Sequence, residues 1–233
     1  MLEFYKFVPQ FGLRDASPFC LKLMTYLNLV EVPHKTIEIM DPRKGPKKKL
    51  PYIIDDGTAI GDSELVISHL KDKYGDPLAD GLSASDKAIT HAFNVMFAER
   101  FYWAAMIYPR WVRPEHHALL TETWFGMIPK PLRGFIVKPM FKQMKKNAEA
   151  HGIGKHSSED IYAMGISDVK SVEALLGDKV YLLDDRPREI DAVAYAFLAN
   201  AQSDIFPTPI SDYIKASPQL MAYIDRVDAA AFS

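Results

Sequence analysis

Residues 2–40 read LEFYKFVPQFGLRDASPFCLKLMTYLNLVEVPHKTIEIM, and this stretch decides the fold. Apolar and polar side chains alternate over residues 2–8 and again over residues 34–40, a pattern typical of β-strands. Between them, residues 18–29 repeat apolar side chains at helical spacing. A strand, a helix and a strand in this order form a βαβ crossover, so we expect the two strands to be parallel.

A hairpin and a second helix follow this crossover. Residues 51–56 (PYIIDD) are typical of a strand, Asp56-Gly57 of a tight turn and residues 58–60 of a short partner strand. Residues 63–74 again repeat apolar side chains at helical spacing. Strand, helix, strand, hairpin and helix in this order are the thioredoxin topology, which we predict for an α/β domain over residues 1–76.

The rest of the chain is predicted to be helical. Residues 75–81 (GDPLADG) are rich in turn-forming residues and are interpreted as a linker. Beyond it strand patterns nearly vanish, and an all-helical domain is expected over residues 84–233. Its first helix is capped by Ser83 or Ser85 and runs to about Ile107. Further helices are predicted near residues 115–126, 131–150, 158–176, 189–203 and 218–229, separated by Pro109, Pro129, Gly152, Gly177 and Pro207.

Composition excludes several classes of protein. The chain has 233 residues and a net charge of −2, which argues against a dedicated nucleic-acid binder. A single cysteine, Cys20, allows no internal disulfide and fits a reducing compartment. The N-terminus carries charges unlike a signal peptide, and no apolar stretch approaches the roughly 18 residues of a spanning helix. We therefore expect a cytoplasmic protein without a membrane span.

Ser17 lies at the predicted entrance of the first helix. Proline is preorganised for the first helical position, so Pro18 begins the helix and Ser17 precedes it. The helix N-terminus carries about half a positive charge. Together with a hydroxyl donor, that field would stabilise a nearby thiolate and lower the pKa of its thiol. Serine at a helix start is also a common N-cap, so a purely structural role stays open.

Two further segments carry groups that bind a peptide. Leu50 precedes Pro51 and is therefore extended, which leaves its N–H and C=O to pair with an added peptide. Ser63 begins a helix that can bind a carboxylate, and Asp62 beside it can hold an amino group. An α-amino acid end carries both charges, so Asp62-Ser63 suits a γ-glutamyl group. Each segment alone is weak, and their order within one thioredoxin-like unit favours a functional interpretation.

These residues resemble the glutathione-binding domain of the glutathione S-transferases. The resemblance implies that Leu50, before a cis-proline at Pro51, pairs with the cysteinyl backbone of glutathione. It also implies that Asp62-Ser63 holds the γ-glutamyl end and that Ser17 supplies the activating hydroxyl. Lys49 lies where the family often has a polar side chain near the glycyl end.

The chain resembles more closely the failed-axon-connections and metaxin-like branch of this superfamily. One departure concerns Asp191, because the superfamily often places Ser or Thr three residues earlier, where this chain has Arg188. A weaker cap, or one made another way, is expected there. The matching segments are Ser17–Lys22, residues 45–53 (GPKKKLPYI), Gly61-Asp62-Ser63, Tyr102-Trp103, Arg110-Trp111, residues 152–157 (GIGKHS) and residues 176–179 (LGDK).

The implied activity is attack by the thiolate of glutathione on an electrophilic carbon of a small apolar substrate. Glutathione is then a co-substrate, no metal is involved, and a homodimer is possible because dimers are usual in the superfamily. A non-catalytic binding or scaffold protein stays open as an alternative. A glutaredoxin-like thiol-disulfide enzyme is less favoured, because Ser17 occupies the nucleophile position and Cys20 comes three residues later.

Four lysines near the middle of the second domain have no part in this function. Lys138, Lys142, Lys145 and Lys146 recur at helical spacing beside apolar residues. The preferred interpretation is the solvated face of a packed helix, and a membrane-surface helix is the alternative.

Overall fold

The computed structural model describes all residues from Met1 to Ser233. The strands are β1 (Leu2–Phe7), β2 (His34–Ile39), β3 (Tyr52–Asp55) and β4 (Thr58–Gly61). The helices are α1 (Pro18–Leu29), α2 (Ser63–Tyr74), α3 (Ala84–Val95), α4 (His117–Phe125), α5 (Lys130–His151), α6 (Ser158–Leu176), α7 (Glu189–Ala201), α8 (Pro209–Ala216) and α9 (Pro218–Phe232).

The four strands form one mixed sheet in the order β2-β1-β3-β4. Strands β1 and β2 are parallel, whereas β3 runs antiparallel to both of its neighbours. At the hairpin between β3 and β4, Asp56 and Gly57 have φ angles of 47° and 80°. Positive φ at both central residues is what a two-residue hairpin of this twist requires. The predicted crossover, hairpin and thioredoxin-like topology are confirmed.

One side of the sheet packs against α1 and α2. Leu2 and Phe4 of β1 alternate inward, and they join Ile53, Leu27 and Ile67 in one buried cluster. Fully burying an apolar side chain of this size contributes about 1.5–3 kcal/mol. The alternation of β1 also buries Lys6, whose ammonium must find partners inside the protein.

The first helix of the helical domain was predicted to end near Ile107, before Pro109, and this prediction is wrong. Ser83 caps α3 as expected, since its hydroxyl accepts from the Asp86 amide at 3.1 Å. The chain then continues helically, in wider turns, over Met96–Phe101 and Trp103–Val112. In such turns the amide bonds five residues back, as Arg113 does to the Tyr108 carbonyl at 3.1 Å. The wider spacing accommodates a proline that would interrupt ordinary α-helical bonding.

Helix α8 was not predicted, although its start is marked in the sequence. Thr208 and Ser211 cap each other's amides at 3.0 and 2.9 Å, and Pro209 occupies the first helical position. At α7 the cap is indeed made another way. Asp191 accepts from the amides of Arg188 at 2.7 Å and Leu182 at 2.9 Å, so no hydroxyl is needed at position 188.

The chain divides into two compact units. The first comprises Met1–Asn94, Val172–Asn200 and Pro218–Ser233, and the second comprises Val95–Ser171 and Ala201–Ser217. The domain boundary between residues 76 and 84 stays a prediction. None of the helices combines the length and the apolar character needed to cross a bilayer.

Gly154 closes tightly onto the end of α5. A Cβ there would lie 2.7 Å from the Ala148 carbonyl carbon and 2.8 Å from the Glu149 nitrogen, both in the backbone. We expect Gly154→Ala to lower the free energy of unfolding by about 1–3 kcal/mol. Gly134→Ala is the matched control, because nothing lies within 4 Å of a Cβ added there. Alanine also stabilises a helix by about 1 kcal/mol relative to glycine. Urea unfolding that ranks the two variants in the opposite order would contradict this packing.

Candidate functional site

Ser17 is the N-cap of α1. Its φ and ψ are −96° and 117°, its hydroxyl oxygen accepts from the Cys20 amide at 3.4 Å, and Pro18 follows at the first helical position. The side chain is half-buried. A hydroxyl that accepts one hydrogen bond still has its own hydrogen to donate. Capping and donation to an incoming thiolate are therefore compatible at this residue.

Cys20 lies in the first turn of α1 and is closed to solvent. Its exposed fraction is 0%. Burial, followed by the nearby Asp15 carboxyl, raises the pKa of the thiol well above its usual value, and the Ser17 hydroxyl lowers it only in part. A buried thiol with a raised pKa is a poor nucleophile. This geometry counts against the thiol-disulfide alternative.

The Leu50-Pro51 peptide bond is cis, as the resemblance implied. The Leu50 side chain is buried in a cluster with Cys20 and Tyr52, which holds this loop against the first turn of α1. Neither the N–H nor the C=O of Leu50 makes a hydrogen bond within the chain. Unpaired main-chain groups of this kind suit an added peptide. Lys49 precedes them with an exposed side chain that makes no ion pair.

Asp62 and Ser63 lie directly beside this loop. The Asp62 amide donates to the Pro51 carbonyl at 3.4 Å, and one Asp62 carboxylate oxygen caps α2 by accepting from the Glu64 amide at 3.0 Å. Asp62 has a φ of 89° and a ψ of 124°, a conformation that costs of order 1–3 kcal/mol outside glycine and concentrates at ligand sites. Ser63, at the first position of α2, is buried.

An ion pair of one buried and one half-exposed side chain connects the two helices that carry these residues. Lys22 of α1 is only 1% exposed and donates to the Glu64 carboxylate of α2. Asn94 completes the group, with its amide nitrogen 2.5 Å from Glu64 and its oxygen 3.4 Å from the Lys22 ammonium. Burial alone would raise the pKa of Glu64, but Lys22 and Asn94 outweigh it and lower that pKa. Sequence reasoning assigned no role to this group.

A buried carboxyl group, also missed from the sequence, supports Ser17 itself. Asp15 is fully buried, and its Oδ1 accepts from the Ser17 amide at 2.8 Å. Its Oδ2 has no hydrogen bond and lies 3.8 Å from the Lys6 ammonium, which lies 3.1 Å from Glu38. Burial raises the pKa of Asp15 to about 7, although the Ser17 amide and Lys6 act to lower it. The signal in the sequence is an Asp two residues before a helix cap, where its side chain can bond the backbone.

Two family models match these regions. A glutathione S-transferase N-terminal domain model matches residues 18–116, and a glutathione S-transferase C-terminal domain model matches residues 165–227. The chain belongs to the glutathione S-transferase superfamily. The family membership predicted from the residue motifs is therefore confirmed.

Relatives within the superfamily span the whole chain. Isoprene-epoxide–glutathione S-transferase of a Rhodococcus species is 30% identical over 239 residues, which cover 97% of this chain and 98% of that protein. Failed axon connections of Drosophila melanogaster is 30% identical over 100% of this chain, which spans 58% of that protein's length. Metaxin-3 of Xenopus laevis is 22% identical over 100% of this chain and 77% of its own length.

Solved structures confirm the fold. The beta-etherase LigF from a Sphingobium species matches with a TM-score of 0.65 and 19% identity, covering 98% of this chain and 95% of its own. Human glutathione transferase theta-2, solved with glutathione, matches with a TM-score of 0.63 and 16% identity, covering 100% of this chain and 83% of its own. Both share a thioredoxin-like N-terminal part and a helical C-terminal part with this protein.

The buried Asp15 makes stability depend on pH. In the unfolded chain its pKa is near 3.8, so between about pH 4 and pH 7 only the folded protein keeps this proton. Unfolding then releases a proton and becomes more favourable as pH rises, by up to about 1.4 kcal/mol per pH unit. We expect Asp15→Asn, which can still accept from the Ser17 amide, to gain stability relative to the unaltered protein across this range.

Chemical unfolding at several pH values measures this difference. The matched control is Glu38→Gln, which neutralises the exposed carboxylate of the same group and should show no such gain. A difference between Asp15→Asn and the unaltered protein that stays constant from pH 4 to pH 7 would refute the raised pKa.

Proposed function

We propose that this protein binds glutathione and conjugates it to a small apolar electrophile. The observation that carries the proposal is the unpaired main chain of Leu50, before a cis-proline, packed against the first turn of α1 where Ser17 caps the helix. A peptide thiol paired to Leu50 would meet a hydroxyl donor and the positive end of a helix dipole. Those are the groups that stabilise a thiolate.

Each end of glutathione has a candidate partner beside this point. The cysteinyl backbone would pair with the N–H and C=O of Leu50. The γ-glutamyl carboxylate would bind at the N-terminus of α2 with the Ser63 hydroxyl, and its amino group would contact the Asp62 carboxylate oxygen that does not cap the helix. The exposed Lys49 ammonium would attract the glycyl carboxylate.

The chemistry needs a thiolate, a held substrate and a proton acceptor in solvent. The thiol loses its proton to water, and the Ser17 hydroxyl donates to the thiolate. A pKa lowered by two units corresponds to about 2.7 kcal/mol, which a hydroxyl hydrogen bond and a helix N-terminus can supply together. The sulfur then forms a bond to the electrophilic carbon while the bond to the leaving atom breaks. Holding both reactants together in one site contributes the remainder of the rate enhancement.

An epoxide is the electrophile class to test first, because a 30% identical relative is named for isoprene epoxide and glutathione. In that case the C–O bond of the strained ring breaks as the C–S bond forms, and the oxygen takes a proton from water. The proposed mechanism uses no metal. The setting we propose is the cytoplasm, since the single cysteine fits a reducing compartment, and a homodimer is proposed from the family resemblance.

A non-catalytic binding or scaffold role is the second candidate. It is favoured by the capping bond of Ser17, which gives that residue a structural role without any substrate. It is also favoured by the likeness of this chain, over all its residues, to part of failed axon connections and of Metaxin-3. The transferase requires both glutathione binding and turnover, whereas the scaffold role requires no turnover.

Titration calorimetry with glutathione, followed by an epoxide-opening assay, separates them. We expect binding and turnover for the unaltered protein. Absence of glutathione binding would defeat the transferase proposal, and binding without turnover on a series of electrophiles would favour the scaffold role.

Ser17→Ala tests the assigned hydroxyl. We expect glutathione binding within about twofold of the unaltered protein and a rate lower by about 100-fold, with the pH–rate profile displaced to higher pH because the bound thiol has a higher pKa. Losing an N-cap also costs about 1 kcal/mol of stability. Ser83→Ala, which removes the cap of α3, controls for that loss. If both variants keep the rate of the unaltered protein, Ser17 is only a cap.

A further inference from the structure

Helix α5 turns a row of apolar side chains toward solvent. Leu132, Phe135, Ile136, Pro139 and Met140 are all exposed, Phe135 to 81% of its surface. Their spacing of three, four, seven and eight residues places them on one side of the helix. We call them the outer apolar stripe. Large apolar side chains gathered on a surface mark an interaction site more often than scattered ones do.

The opposite side of the same helix is already occupied. Val137, Phe141 and Ala148 are buried, at spacings of four and seven residues. With about 3.6 residues per turn, these positions lie roughly across the helix from Leu132 and Pro139. The outer apolar stripe is therefore additional to the side that packs in the second compact unit.

A row of lysines runs beside the stripe. Lys138, Lys142, Lys145 and Lys146 are exposed and make no ion pair or side-chain hydrogen bond. We call them the lysine row. Residues three apart are neighbours on a helix, so Phe135 lies next to Lys138 and Pro139 next to Lys142.

Positive charge is concentrated on this helix. Residues 130–151 contain six basic residues and one acidic residue, although the whole chain has a net charge of −2. The preferred expectation of a merely solvated face therefore does not account for the helix, because the face that carries the lysines also carries uncovered apolar side chains.

We propose that α5 lies on the surface of an anionic lipid bilayer, with the outer apolar stripe in the headgroup region and the lysine row against anionic headgroups. A helix with an apolar face and adjoining lysines binds such surfaces through burial of its apolar side chains and through attraction to the anionic lipids. Each lysine near the surface strengthens binding by about fivefold. The proposal is independent of glutathione binding.

A second copy of the chain is a less suitable occupant. A two-fold contact through the same surface would bring one lysine row toward the other. Like charges placed opposite each other oppose association. An anionic surface provides the complementary charge without this conflict.

Vesicle flotation with the 233-residue chain tests the proposal. We expect binding to phosphatidylcholine vesicles that contain phosphatidylserine, little binding to pure phosphatidylcholine, and weaker binding as salt increases. Lys138→Glu with Lys142→Glu should reduce binding at least tenfold. Lys35→Glu with Lys48→Glu makes the same charge change at exposed positions elsewhere and should reduce it far less.

The apolar part is tested separately. Phe135→Ser should reduce binding to the anionic vesicles severalfold, while Val180→Ser, at another exposed apolar position, should not. An environment-sensitive dye on the thiol of Phe135→Cys should shift to the blue with anionic vesicles, and the buried Cys20 would not compete for the label.

Several results would overturn the proposal. These are equal binding to both kinds of vesicle, no binding to either, or equal losses in the α5 variants and their controls. Sedimentation that shows a dimer dissociated by Phe135→Ser would assign the stripe to an interface between copies, which also overturns it. All substitutions are at exposed positions, and thermal unfolding checks that each variant is folded.

Discussion

The ion pair of the buried Lys22 with the half-exposed Glu64 is the constraint on which the candidate site depends. Lys22 is 1% exposed, so its charge is tolerated only because Glu64 and Asn94 lie against it. Removing Glu64 would leave the buried Lys22 ammonium without its carboxylate partner, which is the costly way to break such a pair. Lys22 follows the entrance of α1 closely, and Glu64 follows that of α2. The pair therefore sets the two helix N-termini relative to each other.

Those N-termini supply fixed partial charges, which would stabilise the carboxylates and the thiol of the glutathione that we propose as ligand. Ser17 and Asp62 each cap a helix with one side-chain oxygen. The Ser17 hydroxyl hydrogen and the second Asp62 carboxylate oxygen are not used by these caps. The strained backbone of Asp62 is held by its bond to Pro51 on one side and by α2 on the other. A rigid arrangement of this kind would bind a charged peptide without reorganising, which is the usual source of electrostatic stabilisation.

Ser17 is supported by the turn that precedes α1 as well as by α1 itself. Asp15 accepts from the Ser17 amide, and Asn200 donates to the Asp15 carbonyl at 3.2 Å, so the turn before α1 is anchored at both ends. Burying the Asp15 carboxyl costs solvation free energy, and the Lys6 ammonium at 3.8 Å compensates for that loss only in part. In the proposed function, Asp15 would position the Ser17 hydroxyl without contacting the ligand.

The sequence by itself determined the sheet and the two helices that pack against it, and it predicted the residues of the candidate site. Periodicity located α1 and α2 to the residue, because Pro18 and Ser63 mark their starts, and alternation located the sheet. Patterning did not reveal the helical path through Pro109, since wider turns leave no period that a sequence shows. Only the tertiary structure decided that Asp15 and Lys22 are buried and that Phe135 is not. Burial depends on what distant segments cover, and a local pattern records only which side chains share a face.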